Sequence, residues 1–567
     1  MLIISSQFAQ KTIPIQIQLD AKEEQICTFI KAACQDLSAI LGQTPSVRIV
    51  GGWVRDKLLH KPSKDMDLTV DMKGDEFAQW LFKIAQQRFG TNQKIVSENK
   101  TTEGRPEQIK NLSVAFLKIY GQAVEILPLR GNEVYEAGSR NPVSTSQSDA
   151  AGDSTRRDLT INSLFYNITT GQIEDFTGKG YDDLLTMTLR TPCRPGHDPN
   201  NEALRIFTED PLRLLRVLRF HSRYKNSQID PEVLTAMQNE DVQHQIVRRL
   251  YGDESMGIVP ERTSEELKKI MIGEQPEKAM QLMYKTGLLQ KLLMLPQEFQ
   301  PLHMDQKNKH HSMTVIDHTM KVLGNVNNLA KEFKLDDKQR MTLNFSALFH
   351  DIGKLDPRSH ANKPDGTRGY YGDRNNPNAI THQQSSQEHW SRFANALKFS
   401  TDETNTIGDM VLNHMNPHDH VETNEKPSDK QLRKYIRTNP SWVFQYIHAM
   451  ADASSKDDSE DLSHAQQPYR ENLERLKTLA PNADSFGNMA LTQDILSGQE
   501  IIAIVGLNPR PVPGMTGYIN IVKELLRDQQ DANPTFSKQE ATNLLQQITN
   551  QGKSGSGLLA PYFSPQV

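Results

Sequence analysis

The sequence predicts an α+β chain: a small mixed α/β head, then an all-α neck, a second all-α domain and a helical tail. Three observations lead there. Strand-like and helix-like runs are interspersed over residues 21–200, whereas beyond them apolar residues recur at helical spacing, as at Leu214, Leu215 and Leu218. Chemistry-bearing residues form two groups far apart in the chain, Asp65 with Asp67 and His350 with Asp351. At 567 residues there is ample length for more than one core.

Bulk properties bound the rest. There are 65 Lys+Arg against 70 Asp+Glu, a net charge of −5, so any basic surface for nucleic acid must be local. Cys27, Cys34 and Cys193 have no paired or metal-ligand spacing, which suits a reducing, cytoplasmic setting. Mean hydropathy is −0.61, no run is apolar enough to span a bilayer, and Met1–Ala9 is too short for a signal peptide. No membrane is expected, and the sequence assigns no oligomeric state. The expected divisions are an extension at 1–20, a head at 21–200, a neck at 201–300, the second α domain at 301–460 and a tail at 461–567.

Residues 1–20 alternate weakly and read as an edge strand or tether, and Lys22–Leu41 reads as a helix ended by Gly42. Arg48–Val50 then leads into Gly51-Gly52 and a helix start at Trp53, a geometry that admits a phosphate to bare backbone and free N–H groups. Asp65 and Asp67, two apart on the next strand, can share one face and hold Mg2+. Glu76–Phe89 reads as a helix and Val114–Leu129 as a hairpin around Gly121. Its Glu125 is a candidate third carboxylate whose face the sequence leaves open.

Glu136–Thr155, rich in Ser, Gly, Asn and Asp, reads as a mobile loop, and Arg156-Arg157-Asp158 to Asn162 as the charged start of a helix. The two arginines could grip a triphosphate, and Asp158 or Asn162 a ribose hydroxyl. Ile173–Leu184 reads as a strand end, a glycine turn suited to a hinge, and a helix start. Phe207–Phe220 begins a basic helix with Arg213, Arg216 and Arg219 along one side. Pro211 suits its first position and makes Asp210 an N-cap, a role that competes with ligand binding.

Gly51-Gly52-Trp53-Val54-Arg55-Asp56, Asp65-x-Asp67, Arg156-Arg157-Asp158, Asp175-Phe-Thr-Gly178 to Leu184, Glu209-Asp210-x-x-Arg213 and Glu261-Arg262 together resemble the ordered motifs of tRNA nucleotidyltransferases. These are CCA-adding enzymes of the branch shared with bacterial poly(A) polymerases, and the resemblance covers residues 25–290. It implies template-independent addition or repair of the 3′-terminal CCA of tRNA from CTP and ATP, by two-metal-ion transfer that releases pyrophosphate. Asp65 and Asp67 would be catalytic and hold Mg2+. Gly51, Gly52, Arg55, Arg156 and Arg157 would bind the triphosphate, and Asp158, Asn162, Asp210, Arg213 and Arg216 would complete the nucleotide site. Asp210 can accept from the exocyclic amino group of cytosine or adenine and would repel the carbonyl of uracil or guanine. Poly(A) polymerase, a CC-only or A-only enzyme, and a non-catalytic tRNA-binding protein with relic sites are the alternatives.

In the second half, His318, His350-Asp351 and Asp452 stand in the order H…HD…D, with His382 and His414 between as further candidate ligands. Imidazole with carboxylate suits Mn, Fe, Co, Ni or Zn better than Mg. Over residues 303–455 the arrangement resembles the HD superfamily of metal-dependent phosphohydrolases, which implies hydrolysis of 2′,3′-cyclic or terminal phosphates. His303, His310 and His311 read as surface or supporting residues, and 356–380 as a surface loop near the site mouth. In the tail, Arg510 and Lys523 are candidate phosphate contacts, and Gly552–Val567 reads as disordered.

Overall fold

The computed structural model describes residues 11–63, 65–90, 95–98, 113–134, 144–251, 260–307, 313–373, 375–422, 426–455, 462–481, 483, 494–506, 515–556 and 558–559. Residues 1–297 with 392–400 form one compact unit, and 298–391 with 401–567 another.

In the first unit, β1 (Lys11–Ile13) is an edge strand, and α1 (Ala21–Leu41) runs from a capping box at Asp20 to Gly42 at φ 71°. The predicted strand, turn, helix and strand follow as β2 (Val47–Val50), α2 (Gly52–Leu58) and β3 (Met66–Val70), then α3 (Gly74–Phe89), β4 (Val96–Glu98), β5 (Ala115–Ile119) and β6 (Gln122–Pro128). A separate pair, β7 (Arg130–Val134) and β8 (Ser144–Gln147), precedes α4 (Ala150–Thr155), β9 (Leu164–Asn167), β10 (Gln172–Asp175) and α5 (Gly180–Thr186). The main sheet has eight strands in the order β1-β10-β9-β2-β3-β6-β5-β4. Only its β3–β6 pair is parallel, and this pair sets Asp67 opposite Glu125. Directly paired residues present their side chains on the same face, so Glu125 shares the face of Asp67.

Three parts of the head differ from the sequence reading. Residues 150–155, expected in a mobile loop, form α4, capped by Asp149 and largely buried; 136–143 lie outside the described residues. After Arg156 the chain makes a 3₁₀ turn at Thr160–Asn162 and enters a strand, where a helix was expected. The apolar run Leu164–Tyr166 is buried because β9 lies between β2 and β10. The glycine turn before α5 is a packed joint, unlike a hinge. A Cβ on Gly180 would lie 2.7 Å from the Thr160 carbonyl oxygen and 2.9 Å from Leu164 Cδ2.

A two-stranded pair, β11 (Thr188–Leu189) and β12 (Gln228–Ile229), brackets α6 (Pro199–Glu209) and α7 (Leu212–Arg223). Phe207–Glu209 belongs to α6, which the sequence reading merged with the basic helix. Asp210 is extended and ends α6, and its Oδ1 accepts from the Leu212 N–H at 3.1 Å; Pro211, expected as the first helical residue, holds the N-cap position of α7 instead. Helices α8 (Pro231–Gln238), α9 (Glu240–Tyr251), α10 (Pro260–Met271), α11 (Pro276–Lys285) and α12 (Leu288–Leu292) complete the neck.

Among the described residues the second unit is helical apart from a small ladder, β13 (Ala361–Asn362) with β14 (Arg368–Gly369), and an isolated bridge between Asp305 and Thr314. Its helices are α13 (Val315–Glu332), α14 (Asp337–Phe349), α15 (His382–Ala396, whose last turn falls in the other unit), α16 (Thr401–Leu412), α17 (Asn416–Asp419), α18 (Asp429–Thr438), α19 (Trp442–Ala453) and α20 (Leu462–Leu479). The tail helices α21 (Gly498–Val505), α22 (Met515–Ala532) and α23 (Lys538–Lys553) share a core of Ile501, Tyr518, Leu526, Leu545 and Leu559. Beyond Gly552, residues 553–556, 558 and 559 are described, with Leu559 fully buried; 557 and 560–567 lie outside the described residues. Lys523 is paired with Asp494 at 2.7 Å, and Arg510 lies outside the described residues.

Glu202, only 2% exposed, pairs with Arg194 at 2.6 Å and Arg205 at 3.0 Å. Burial favours its neutral form, yet the two guanidinium groups win and hold the carboxyl down to about 2. A carboxyl depressed in the folded state contributes stability above its unfolded pKa, about 4.3, and loses it as pH falls toward the folded value. Glu202→Gln is expected to lower the urea midpoint at pH 7 and to flatten its decline below pH ~4, as followed by circular dichroism.

Candidate active sites

Gly51 stands at φ 71°, a conformation strained for any side chain, and a Cβ there would lie 3.6 Å from Arg157 Nη1. A Cβ on Gly52 would lie 3.4 Å from Arg55 Nη2. Bare backbone and two guanidinium groups thus meet at the turn, a combination suited to phosphate. In the adjoining strand Asp67 pairs with Val50 on one side and Glu125 on the other, and Asp65 lies just before the strand. Burial and then the Asp65 charge raise the Asp67 carboxyl, against Arg157; burial and then Asp67 raise that of Glu125. Mutually repelling oxygen donors of this kind are what a hard divalent cation neutralises.

The other predicted residues are placed less simply. Arg156 and Arg157 both pair with Asp153, at 2.8 and 2.7 Å. Asp153 is 1% exposed; burial would raise its carboxyl, yet Arg157 and Arg156 hold it below its ordinary value. Arg55 is buried, donating to Asp56 at 2.9 Å and to Asn162 Oδ1 at 2.5 Å, with its guanidinium 4.8 Å from the Phe220 ring centre. Asn162 donates in turn to Asp158 Oδ1 at 2.9 Å, and Arg216 Nε to Asp158 Oδ2 at 2.5 Å. Both carboxylate oxygens of Asp158 are therefore engaged by protein groups. Asn162 is likewise engaged at both ends of its amide. Arg213 donates to Glu209 at 3.2 Å and to the Ile206 carbonyl at 3.3 Å.

The second unit gathers its histidines and aspartates tightly. His318, His350, Asp351, His382, His414 and Asp452 are each at most 8% exposed. Asp351 Oδ2 lies 3.2 Å from His350 Nε2 and 3.5 Å from His318 Nε2, while Oδ1 lies 3.7 Å from His382 Nε2 and 3.9 Å from His414 Nε2. Two histidine pairs thus face opposite oxygens of one carboxylate. The donor atoms of His318, His350 and Asp351 all lie within 4.8 Å of one another, as do those of Asp351, His382 and His414. Asp452 reaches this centre through His318, at 3.0 Å.

The rings are oriented as metal ligands require. Backbone carbonyls accept from Nδ1 of His350 (Ala347, 2.8 Å), His382 (Tyr370, 3.0 Å) and His414 (Val411, 2.7 Å), which turns each Nε2 toward Asp351. His350 Nε2 is buried beside Asp351 Oδ2 without a well-formed hydrogen bond, a lone pair that a metal ion would satisfy. Burial pushes His382 down to about 4 and His414 well below its usual range, so both are neutral, the ligating form. Burial would raise Asp351, yet His350 and Lys354 hold it ionised. The donor set fits a borderline transition metal.

Two residues here escaped the sequence reading. His418 Nε2 lies 2.9 Å from Asp452 Oδ2, and its Nδ1 is 2.6 Å from the Tyr469 hydroxyl. The His448 ring sits 5.0 Å from that of His350. Spacing offered a signal: His448 precedes Asp452 by four on one helix, so both face the same side. Of the other histidines, His303 is exposed, and His310 and His311 lie outside the described residues.

Gly353 lets the His-Asp turn press against the start of α15. A Cβ there would fall 2.0 Å from the His382 carbonyl oxygen and 2.7 Å from the Ser386 nitrogen. Gly353→Ala must displace α15 and with it His382. Its affinity for Mn2+ or Ni2+, measured by metal analysis after equilibrium dialysis, is expected to fall about tenfold or more, beyond any loss in thermal midpoint.

Residues 47–190 match the poly A polymerase head domain family, and 256–298 match the family described as "Probable RNA and SrmB- binding site of polymerase A". A mitochondrial CCA tRNA nucleotidyltransferase of Candida glabrata is 35% identical over 276 residues, covering 48% of this chain and 48% of that protein. The tRNA nucleotidyltransferase cca2 of Schizosaccharomyces pombe is 34% identical over 282 residues, covering 48% and 54%. The chain thus spans about half the length of the curated relatives it matches. A CCA-adding enzyme solved with CTP shares the fold, with TM-score 0.53 and 16% identity, over 93% of this chain and 95% of that one. Residues 47–190 are accordingly similar to the poly A polymerase head domain, and about half of the chain is similar to CCA tRNA nucleotidyltransferases.

Proposed function

We propose that the chain adds or repairs the 3′-terminal CCA of tRNA from CTP and ATP without a nucleic-acid template. The observation that carries this reading is the pairing of Asp67 with Glu125 beside the Gly51-Gly52 turn, with Arg157 between phosphate site and carboxylates. Asp65 and Asp67, with Glu125 beside them, would hold Mg2+. Bound there, Mg2+ supplies acidity to the attacking 3′ hydroxyl and neutralises charge at the α-phosphate. The backbone at Gly51 and Gly52 admits the triphosphate, and Asp153 aims Arg156 and Arg157 at it. The chain Arg55–Asn162–Asp158–Arg216 fixes α7 against the head. Asp210 and Arg213, at the start of that helix, then meet the base edge, where the carboxylate favours the amino group of C and A.

The second unit is proposed to hydrolyse 2′,3′-cyclic or terminal phosphates, so that a damaged RNA end regains a free hydroxyl. The division of Asp351 between two histidine pairs supports it. His318, His350, Asp351, His382 and His414 would hold Mn, Fe, Co, Ni or Zn, with Asp452 joining through His318. Such a metal supplies Lewis acidity toward a phosphate ester. His418 orients Asp452, and Lys354 donates to Asp351 at 2.7 Å and fixes its carboxylate.

A cytoplasmic location is proposed from thiol chemistry. All three cysteines are free, and burial pushes Cys27 and Cys34 up to about 12. The Candida glabrata relative is named as mitochondrial. Among the described residues no helix is long and apolar enough to cross a membrane.

With tRNA lacking its end and single labelled nucleotides, the protein is expected to take CTP first and to stop after one A. Unlimited A from ATP alone would instead mark a poly(A) polymerase, and C alone or A alone a partial enzyme. Asp67→Ala should cut incorporation by about a thousandfold or more; wild-type incorporation would leave only a tRNA-binding role. His350→Ala should abolish turnover of a 2′,3′-cyclic phosphate, and equal turnover in wild type and variant would sink the hydrolytic reading.

A further inference from the structure

Asp452 stands between two histidines. Its Oδ1 lies 3.0 Å from His318 Nε2, on the side of the histidine–aspartate centre, and is buried without a well-formed hydrogen bond. Its Oδ2 lies 2.9 Å from Nε2 of His418, a histidine on α17 that the H…HD…D pattern passes over. Across that ring, Nδ1 is 2.6 Å from the hydroxyl of Tyr469. Tyr469 belongs to α20, beyond the 303–455 span of the phosphohydrolase resemblance. Asp452, His418 and Tyr469 are each at most 7% exposed, so these groups must satisfy one another.

The position of one proton decides whether this row is consistent. A neutral imidazole carries a single N–H, on one nitrogen or the other. With the proton on Nδ1, the bare Nε2 would face a carboxylate oxygen at 2.9 Å, two acceptors opposed in a buried setting. With the proton on Nε2, an N–H meets the carboxylate, and Nδ1 is left to accept from a donor. Tyr469 is the donor in place. Burial, and then the Asp452 charge, push its hydroxyl up, so it keeps its proton.

We propose that Tyr469 is a positioning residue of the histidine–aspartate centre: by donating to Nδ1 it holds His418 as the Nε2–H tautomer, which keeps Asp452 Oδ1 directed at the centre. The proposal rests on the metal-holding reading of that centre and carries it one step outward, to α20. Without the hydroxyl, Nδ1 is buried and unpaired. The ring then regains a partner only by moving off Asp452 or by shifting its proton, and either change frees the carboxylate to turn. Outer partners of metal ligands typically alter metal affinity by about 10–100-fold.

The test uses the full chain, as wild type, Tyr469→Phe, His418→Gln and the double variant, with Mn2+ binding read by equilibrium dialysis. Tyr469→Phe is expected to weaken Mn2+ binding about tenfold. In the His418→Gln background, where an amide N–H has no tautomer to lose, adding Tyr469→Phe is expected to change nothing further. Unchanged affinity in Tyr469→Phe overturns the proposal. So does the same loss in both backgrounds, which marks a merely structural hydroxyl. Mn2+ binding without turnover of a 2′,3′-cyclic phosphate sinks the hydrolytic reading alone. Should wild type hold no Mn2+, the metal reading falls, and 15N spectra of histidine-labelled protein decide the tautomer, with the His418 signals identified by their loss in His418→Gln. A protonated Nε2 and bare Nδ1 in wild type, lost in Tyr469→Phe, uphold it. A bare Nε2, two protonated nitrogens, or a pattern unchanged in Tyr469→Phe overturns it.

Discussion

A carboxylate taken out of water must find a cation, and both candidate sites are organised by that demand. In the head, Asp153 and Asp158 are almost fully buried and are answered by Arg156, Arg157 and Arg216. These pairings hold Arg157 beside the glycine turn and tie the helix carrying Asp210 and Arg213 to the head. In the second unit the same demand falls on Asp351, which is surrounded by four imidazoles and Lys354. Where arginine answers the acid, the result is a rigid joint. Where imidazoles answer it, with burial pushing His382 and His414 toward the neutral form, the remaining demand for positive charge is one that a metal ion can meet.

The two sites treat solvent differently. The head carboxylates Asp67 and Glu125 are half-buried and repel each other, so they are open to a hydrated cation and a moving polyphosphate. The histidine–aspartate centre is nearly closed, with every candidate ring clamped by a backbone carbonyl or a neighbouring carboxylate. A hard, exchangeable ion suits the first and a tightly held, softer one the second.

Much of this was legible in residue order. Gly51-Gly52 and the spacing of Asp65 and Asp67 anticipated the strand, turn, helix and strand of the head, because glycine punctuation and period-two burial are local properties. The face of Glu125 was not legible, since it depends on a parallel pairing between strands 58 residues apart. Arg156–Asn167 was misread as a helix because a charged run followed by an apolar one fits either a helix or a central strand; its two strand neighbours decide. The engagement of Asp158 by Arg216 spans 58 residues and leaves no trace in local pattern. His418 was missed for a similar reason: its partners, Asp452 and Tyr469, come from helices further along the chain.

The parallel register of β3 against β6 has one further consequence. Side chains along a strand change face at every step, so a slip of a single residue would leave no partial version of the Asp67–Glu125 pair; it would send one acid to the opposite side of the sheet. The setting behaves as a switch with two positions, unlike a dial. Leu68, Val124 and Ile126, all buried and none of them chemically reactive, hold that switch where it is. Variation in these three apolar residues is therefore free to alter size only so far as the register survives, and the tolerance of the acid pair to sequence drift is set by the packing beneath it.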